Sequence, residues 1–199
     1  MTTWLRTDEA EEAISALENL AEFAARVSGD LFAWRWTILS LHNALQGFMV
    51  VWIRDSAGLN VLPRSVAIEW LAAHQAGASY PEEKLDRFPN LYTKIKKQTI
   101  ATGLGARRFS PSGSQTVSVK RLNDLRNTFV HFLPASWSLE VTGLPRICLD
   151  SLDVLEYLAF SYRSNIWHDD GQSARISRSV AGVRATLTAL DRAYRAASA

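Results

Sequence analysis

Apolar residues recur along this chain at intervals of three and four, the spacing that puts them on one face of an α-helix. Ile14, Leu17, Ala21, Ala24 and Val27 form the first such stripe, with Glu11, Glu12, Glu18, Glu22 and Arg26 opposite. The pattern predicts an amphipathic helix over about residues 8–28. Thr7 is its candidate cap, and Asp8 and Glu9 favour the positive end of its dipole. Ser28-Gly29-Asp30 breaks it, and Asp30 is placed to cap the next helix. That second helix, about 31–54, carries Leu31, Trp34, Ile38, Leu41, Leu45, Phe48 and Trp52, with Leu39, Val50 and Val51 on other faces. A helix apolar most of the way round must be covered most of the way round.

The later segments continue the helical reading. A short helix over about 63–76 carries Val66, Trp70 and Leu71 and ends at Gly77. Tyr80-Pro81-Glu82-Glu83 opens another stretch, interrupted near Pro89 and continued by Leu91, Ile95 and Gln98. Glycine and serine make residues 99–116 a flexible loop. Val119, Leu122, Leu125, Phe129 and Phe132 then mark a helix stopped by Pro134. Trp137 to Val141 alternates and predicts a short strand, leaving room for one hairpin after residue 134. Asp150 or Ser151 is the candidate cap of a helix bearing Leu152, Leu155, Tyr157, Leu158 and Phe160. A last helix, about 172–197, has Ile176, Val180, Val183, Leu187 and Leu190 inside and Arg175, Arg178, Arg184, Arg192 and Arg195 on the wet side. There is no repeat and no helix–strand alternation. The expected class is all-α, a bundle of about six or seven helices in a single domain over residues 1–199.

Composition narrows the setting. A hydrophobic fraction of 47% suffices for a substantial core, and 21% charged residues argue against disorder. Part of the supply of seven tryptophans and eight phenylalanines is expected at a subunit interface, where aromatic residues are favoured. The lone Cys148 excludes an internal disulfide and a multi-cysteine zinc site. The first residues lead straight into acids rather than an apolar run, unlike a secretion signal, so a cytoplasmic setting is expected. Residues 36–53 hold no charge, but His42, Asn43 and Gln46 sit at the centre, where lipid would penalise them. A buried core or interface helix explains that stretch better than a membrane span.

Charge is uneven. Lys94, Lys96, Lys97, Arg107, Arg108, Lys120, Arg121 and Arg126 share a span with one acid, Asp124, whereas residues 7–25 carry only acids. A basic band of this kind can track a phosphate backbone, and it can equally be a solvated face. Three arginine–histidine pairs stand at short spacing: Arg35 with His42, Arg126 with His131, and Arg163 with His168. Only Arg126 and His131 lie inside the basic band. His42, on the most apolar helix, reads as a hydrogen-bonded core or interface group. His168-Asp169-Asp170 has no second cluster at ligand spacing, so no metal site is expected.

Arg126-Asn127-Thr-Phe-Val-His131 resembles the Arg-x(4–6)-His signature of the HEPN superfamily, in the form with a polar residue after the arginine. Residues 41–49, 85–95 and 123–137 together resemble a bacterial family of HEPN-like character. The resemblance implies a small helical bundle that homodimerises and cleaves RNA without a metal or other cofactor. His131 would move the proton of a ribose 2′-hydroxyl or of the leaving oxygen, Arg126 would hold the phosphate, and Asn127 would orient one of them or bind the sugar. Lys94, Lys96, Lys97, Arg107, Arg108, Lys120 and Arg121 would bind the RNA. Five residues of ideal helix turn about 140°, so Arg126 and His131 do not share a face, and a second copy would complete the cleft. The alternative is a non-catalytic homodimeric module binding RNA or a protein, an antitoxin among the candidates.

Overall fold

The computed structural model describes residues 2–54, 56–97, 108–131, 134, 136–160 and 169–198. Among them are seven α-helices: α1 (Glu9–Arg26), α2 (Ala33–Ile53), α3 (Arg64–Ala76), α4 (Phe88–Lys97), α5 (Gln115–Val130), α6 (Leu144–Phe160) and α7 (Asp170–Ser198). The described residues contain no strand, so the class is all-α. No helix among them is long and apolar enough to cross a membrane. The uncharged stretch of α2 is instead core, with Ile38, Leu41, Ala44, Leu45, Phe48, Met49 and Trp52 all buried.

The chain divides into two compact units, residues 1–48 with 111–199, and residues 49–110. In the first, α1 packs on α7, α7 on α6, and α6 on α5. The predicted stripes supply most of this core: Ile14, Leu17 and Ala24 from α1 and Val27 at its C-cap, Val119, Leu122, Leu125 and Phe129 from α5, and Ile176, Val180, Val183, Leu187 and Leu190 from α7; Leu20, outside the predicted stripe, is buried as well, while Ala21 is half-buried. α1 and α2 approach closely at Gly47 of α2. A Cβ there would sit 2.7 Å from the Cβ of Ala13 and 3.0 Å from its Cα, so only glycine fits.

Several polar expectations are corrected. Asp8, not Thr7, caps α1, accepting from the amides of Ala10 and Glu11 at 2.9 Å each, while Thr7 Oγ1 donates to Glu12 Oε1 at 2.8 Å. Both orphan amides meet the single oxygen Oδ1 of Asp8, while the Thr7 hydroxyl is engaged with Glu12. Asp30 does cap the turn into α2, accepting from the Phe32 amide at 2.9 Å. Residues 137–141 form no strand, and α6 begins at Leu144 instead of near residue 150. Pro145 sits in the first turn of α6, where a proline's missing N–H costs nothing. Asp150 and Ser151 therefore lie inside α6 and are buried. The Asp150 carboxylate accepts from Ser114 Oγ at 2.5 Å and Ser118 Oγ at 2.6 Å, and pairs with Arg146 at 3.1 Å, tying the start of α5 to α6.

The arginines of α7 also do more than solvate its outer face. Arg175 bridges Glu11 and Glu18 of α1 at 2.8 Å each, and Arg184 pairs with Asp153, at 2.7 Å, and Glu156 of α6. Hydrogen bonds from Arg175 hold both of its glutamates below their ordinary carboxylate range. Opposite charges across a helix pair thus reinforce the apolar packing beneath them.

The second unit contains the last turns of α2, a 3-10 turn at Leu59–Val61, α3 and α4. No helix forms over residues 81–87, and Pro89 sits in the first turn of α4 without interrupting it. Gly77 ends α3 in the left-handed conformation, φ 62°, its amide donating to the carbonyls of Ala73 and His74.

Candidate functional site

The motif lies at the C-terminal end of α5. Leu122, Leu125 and Phe129 hold this helix to the core. That register leaves Arg126 half-buried at the edge of the packed face and turns Asn127 into water. One guanidinium nitrogen of Arg126 donates to Asn127 Oδ1 at 3.1 Å. This contact links the two polar residues of the motif side by side on the helix end.

His131 is the residue after the last helical one. Its amide still donates to the carbonyl of Asn127 at 2.9 Å, but its backbone has left the helix, at φ −114° and ψ 44°. The 140° expected between positions 126 and 131 assumes an unbroken helix, so it does not fix where this imidazole points. The side chain is exposed.

Behind this surface lies a group that sequence spacing does not reveal. His42 of α2 is 2% exposed, and its Nε2 stands 3.3 Å from Oδ1 of Asn123, one turn before Asn127 on α5. A carbonyl oxygen only accepts, so the bond requires the Nε2–H tautomer. Burial pushes the His42 pKa down to about 4, the hydrogen bond from His42 to Asn123 opposes this, and the nearby charge of Arg126 lowers it further. His42 is thus a neutral anchor for α5, in line with its reading as a hydrogen-bonded core group.

The remaining anticipated contacts separate by unit. Lys120 and Arg121 are exposed on α5. Lys94, Lys96, Lys97 and Arg108 belong to residues 49–110. Lys94 is committed locally: its ammonium meets Asp86 Oδ2 at 2.8 Å and the carbonyls of Leu62 at 2.6 Å and Asn60 at 3.1 Å. Three donors meeting three acceptors leave little for a phosphate. Lys96 lies over the Tyr92 ring at 4.6 Å, and Arg108 donates to the Lys96 carbonyl. Lys97 is exposed. Arg107 and the Arg163–His168 pair fall outside the described residues.

Among the described residues no cluster of three or more His, Cys, Asp or Glu is arranged to hold a metal. Cys148 is fully buried, and burial pushes its thiol up to about 12. A thiol held protonated at neutral pH is a poor nucleophile.

The class that fold and site define is an all-α bundle with an Arg-Asn-x3-His helix end. No family model, curated protein or solved structure matches the chain.

Proposed function

We propose that this protein is an HEPN-like, metal-independent endoribonuclease whose cleft is completed by a second copy of the chain. The observation that carries the reading is the end of α5: a half-buried arginine held by its neighbouring asparagine, followed by an exposed histidine released from the helical register. Arg126 would bind the scissile phosphate and offset the charge that builds on it. His131 would take the 2′-hydroxyl proton or protonate the 5′-oxygen that leaves. The products would be a 2′,3′-cyclic phosphate and a 5′-hydroxyl. The motif's one histidine supplies one of the two proton transfers, and a two-fold pairing of α5 helices would supply the other.

The test is incubation of the pure protein with single-stranded and structured RNA in EDTA, beside His131→Ala. Loss of a general acid–base group costs roughly 100- to 10,000-fold. Mixing His131→Ala with Arg126→Ala should restore part of the cleavage if the two chains share a site. No cleavage by wild type, or equal cleavage by wild type and His131→Ala, rejects the enzyme.

The second reading, a non-catalytic dimeric module that binds RNA or a protein, is favoured by the exposure of Lys97, Arg108, Lys120 and Arg121. Its signature is salt-sensitive RNA retention that survives His131→Ala and fails when those four residues are neutralised.

A further inference from the structure

The second unit holds a cleft of about 470 Å³ whose lining residues all belong to residues 49–110. That size falls among small-molecule sites, which run from roughly 300 to 1,000 Å³. Leu59, Leu62 and Ala67 give it aliphatic walls, and Arg64, Lys94 and Lys97 stand among them. The described lining residues include no acid.

The three cations have two different duties. Lys94 builds the wall. Its ammonium pairs with Asp86 Oδ2 at 2.8 Å and donates to the carbonyls of Leu62 at 2.6 Å and Asn60 at 3.1 Å. The Asp86 amide in turn donates to the Val61 carbonyl at 2.9 Å, and Asp86 is only 6% exposed. A shielded ion pair thus fastens the turn at 59–62 to α4, and the charge of Lys94 is neutralised where it stands.

Arg64 and Lys97 are exposed, and among the described residues neither side chain meets an acid or another acceptor. Arg64 is the first residue of α3, a helix with no acid in its first turn and no side-chain cap. A cation there adds to the positive end of the helix dipole instead of offsetting it. Gathering like charges around a concavity raises the local potential, and an anion seated between them relieves it.

With Lys94 matched by Asp86, two positive charges remain over the cleft. A phosphate monoester carries about −1.5 to −2 at neutral pH and three acceptor oxygens. A carboxylate, a sulfate ester or a phosphodiester carries a single charge. Arginine offers a planar donor fork and lysine a point charge, and both suit phosphoryl oxygens. We propose that this cleft binds a small organic phosphate monoester, with its phosphoryl group on Arg64 and Lys97 and its body against Leu59, Leu62 and Ala67. A bare phosphate would leave the aliphatic walls wet, and an uncharged molecule would leave both cations unmatched. The proposal does not depend on ribonuclease activity, since neither cation belongs to the α5 motif.

Phenyl phosphate is the probe, titrated by calorimetry at pH 8, where it is a dianion. Phenyl sulfate keeps the ring and halves the charge, and inorganic phosphate keeps the charge and lacks the ring. Phenyl phosphate should bind saturably, one per chain, and at least about tenfold more tightly than either. Arg64→Gln and Lys97→Gln should each weaken it on the order of tenfold, and Arg64→Lys should recover part of the loss. Both side chains are exposed, so circular dichroism should show the fold unchanged. Arg87→Gln, which removes an exposed cation of the same unit outside this wall, should bind like wild type. Absence of saturable binding overturns the proposal. Equal binding of phenyl sulfate or of inorganic phosphate overturns it too, as does binding indifferent to both glutamine variants. Retention of a 5′-phosphorylated RNA without uptake of phenyl phosphate would make the cleft a nucleic-acid contact, and that also overturns it.

Discussion

Gly47→Ala should destabilise this protein although alanine is the better helix former, and the expected size follows from one close approach. The added Cβ would lie 2.7 Å from Ala13 Cβ and 3.0 Å from Ala13 Cα. Carbon atoms are at ease at about 3.5–4.0 Å, and a backbone atom cannot rotate away, so α1 and α2 must part locally by about 1 Å. Overpacking of this kind costs about 1–3 kcal/mol, against about 1 kcal/mol gained by replacing glycine inside a helix. The net is a loss of up to about 2 kcal/mol. Gly182 in α7 is the control, because a Cβ there meets nothing within 4 Å. Gly182→Ala should stabilise by about 1 kcal/mol, since only the propensity gain remains. Both variants share that gain, so the difference between them isolates the clash. Urea unfolding followed by circular dichroism reads both, and each kcal/mol moves the thermal midpoint by about 2–4 °C in a chain of this size. Ala13→Gly added to Gly47→Ala should recover the packing loss by reopening the contact. If Gly47→Ala raises the midpoint as much as Gly182→Ala does, the α1–α2 approach is not as close as described.

Three further perturbations have a worked sign. Arg175→Gln should cost about 1 kcal/mol at pH 7, because its two ion pairs are partly wet. Glu11 and Glu18 titrate below 4.5 in the folded chain, so their contribution is present above that value and lost as pH falls through the lowered values; wild type and variant should converge in acid melts. His42 behaves as a neutral group: the unfolded chain takes up its proton below 6.5, the folded one only near 4, so stability is complete above pH 6.5 and falls by roughly 3 kcal/mol at most on the way to pH 4. His42→Gln should flatten that slope, and an NMR titration that finds His42 protonating near 6.5 would contradict its burial. Asp150→Ala removes the acceptor of Ser114 and Ser118 and the partner of Arg146, and should cost about 2–3 kcal/mol in urea unfolding.

The helices were legible because each buries one face, and periodicity reports a face directly. Their ends were less so. Thr7 and Asp8 are adjacent residues of the same capping class, and only geometry chooses between them. Asp150 looked like a cap because an aspartate before an apolar run is the usual signal. The helix in fact begins six residues earlier, at Leu144, with a proline in its first turn, and the carboxylate serves two serines at the start of α5, far away in sequence. Arg175 was misjudged for a related reason. A helical wheel separates wet from dry but cannot tell a solvated arginine from one facing the glutamates of another helix. Trp137 to Val141 alternates as a strand does, but an alternating segment becomes a strand only when another edge is there to pair with it.

The candidate site divides along the same line. Arg126, Asn127 and His131 were visible together because they lie on one continuous segment, and local spacing is what a motif records. The bond between His42 and Asn123 joins residues 81 apart, so no local pattern announces it. Yet this bond constrains the visible residues. Asn123 lies one turn before Asn127, and Asn127 holds Arg126, so a buried neutral imidazole fixes the rotation of the helix that presents the guanidinium. Were His42 to protonate, it would place a second positive charge beside Arg126 inside a low-dielectric core, where the repulsion is largest. Keeping His42 neutral therefore avoids that repulsion and preserves the anchor of α5.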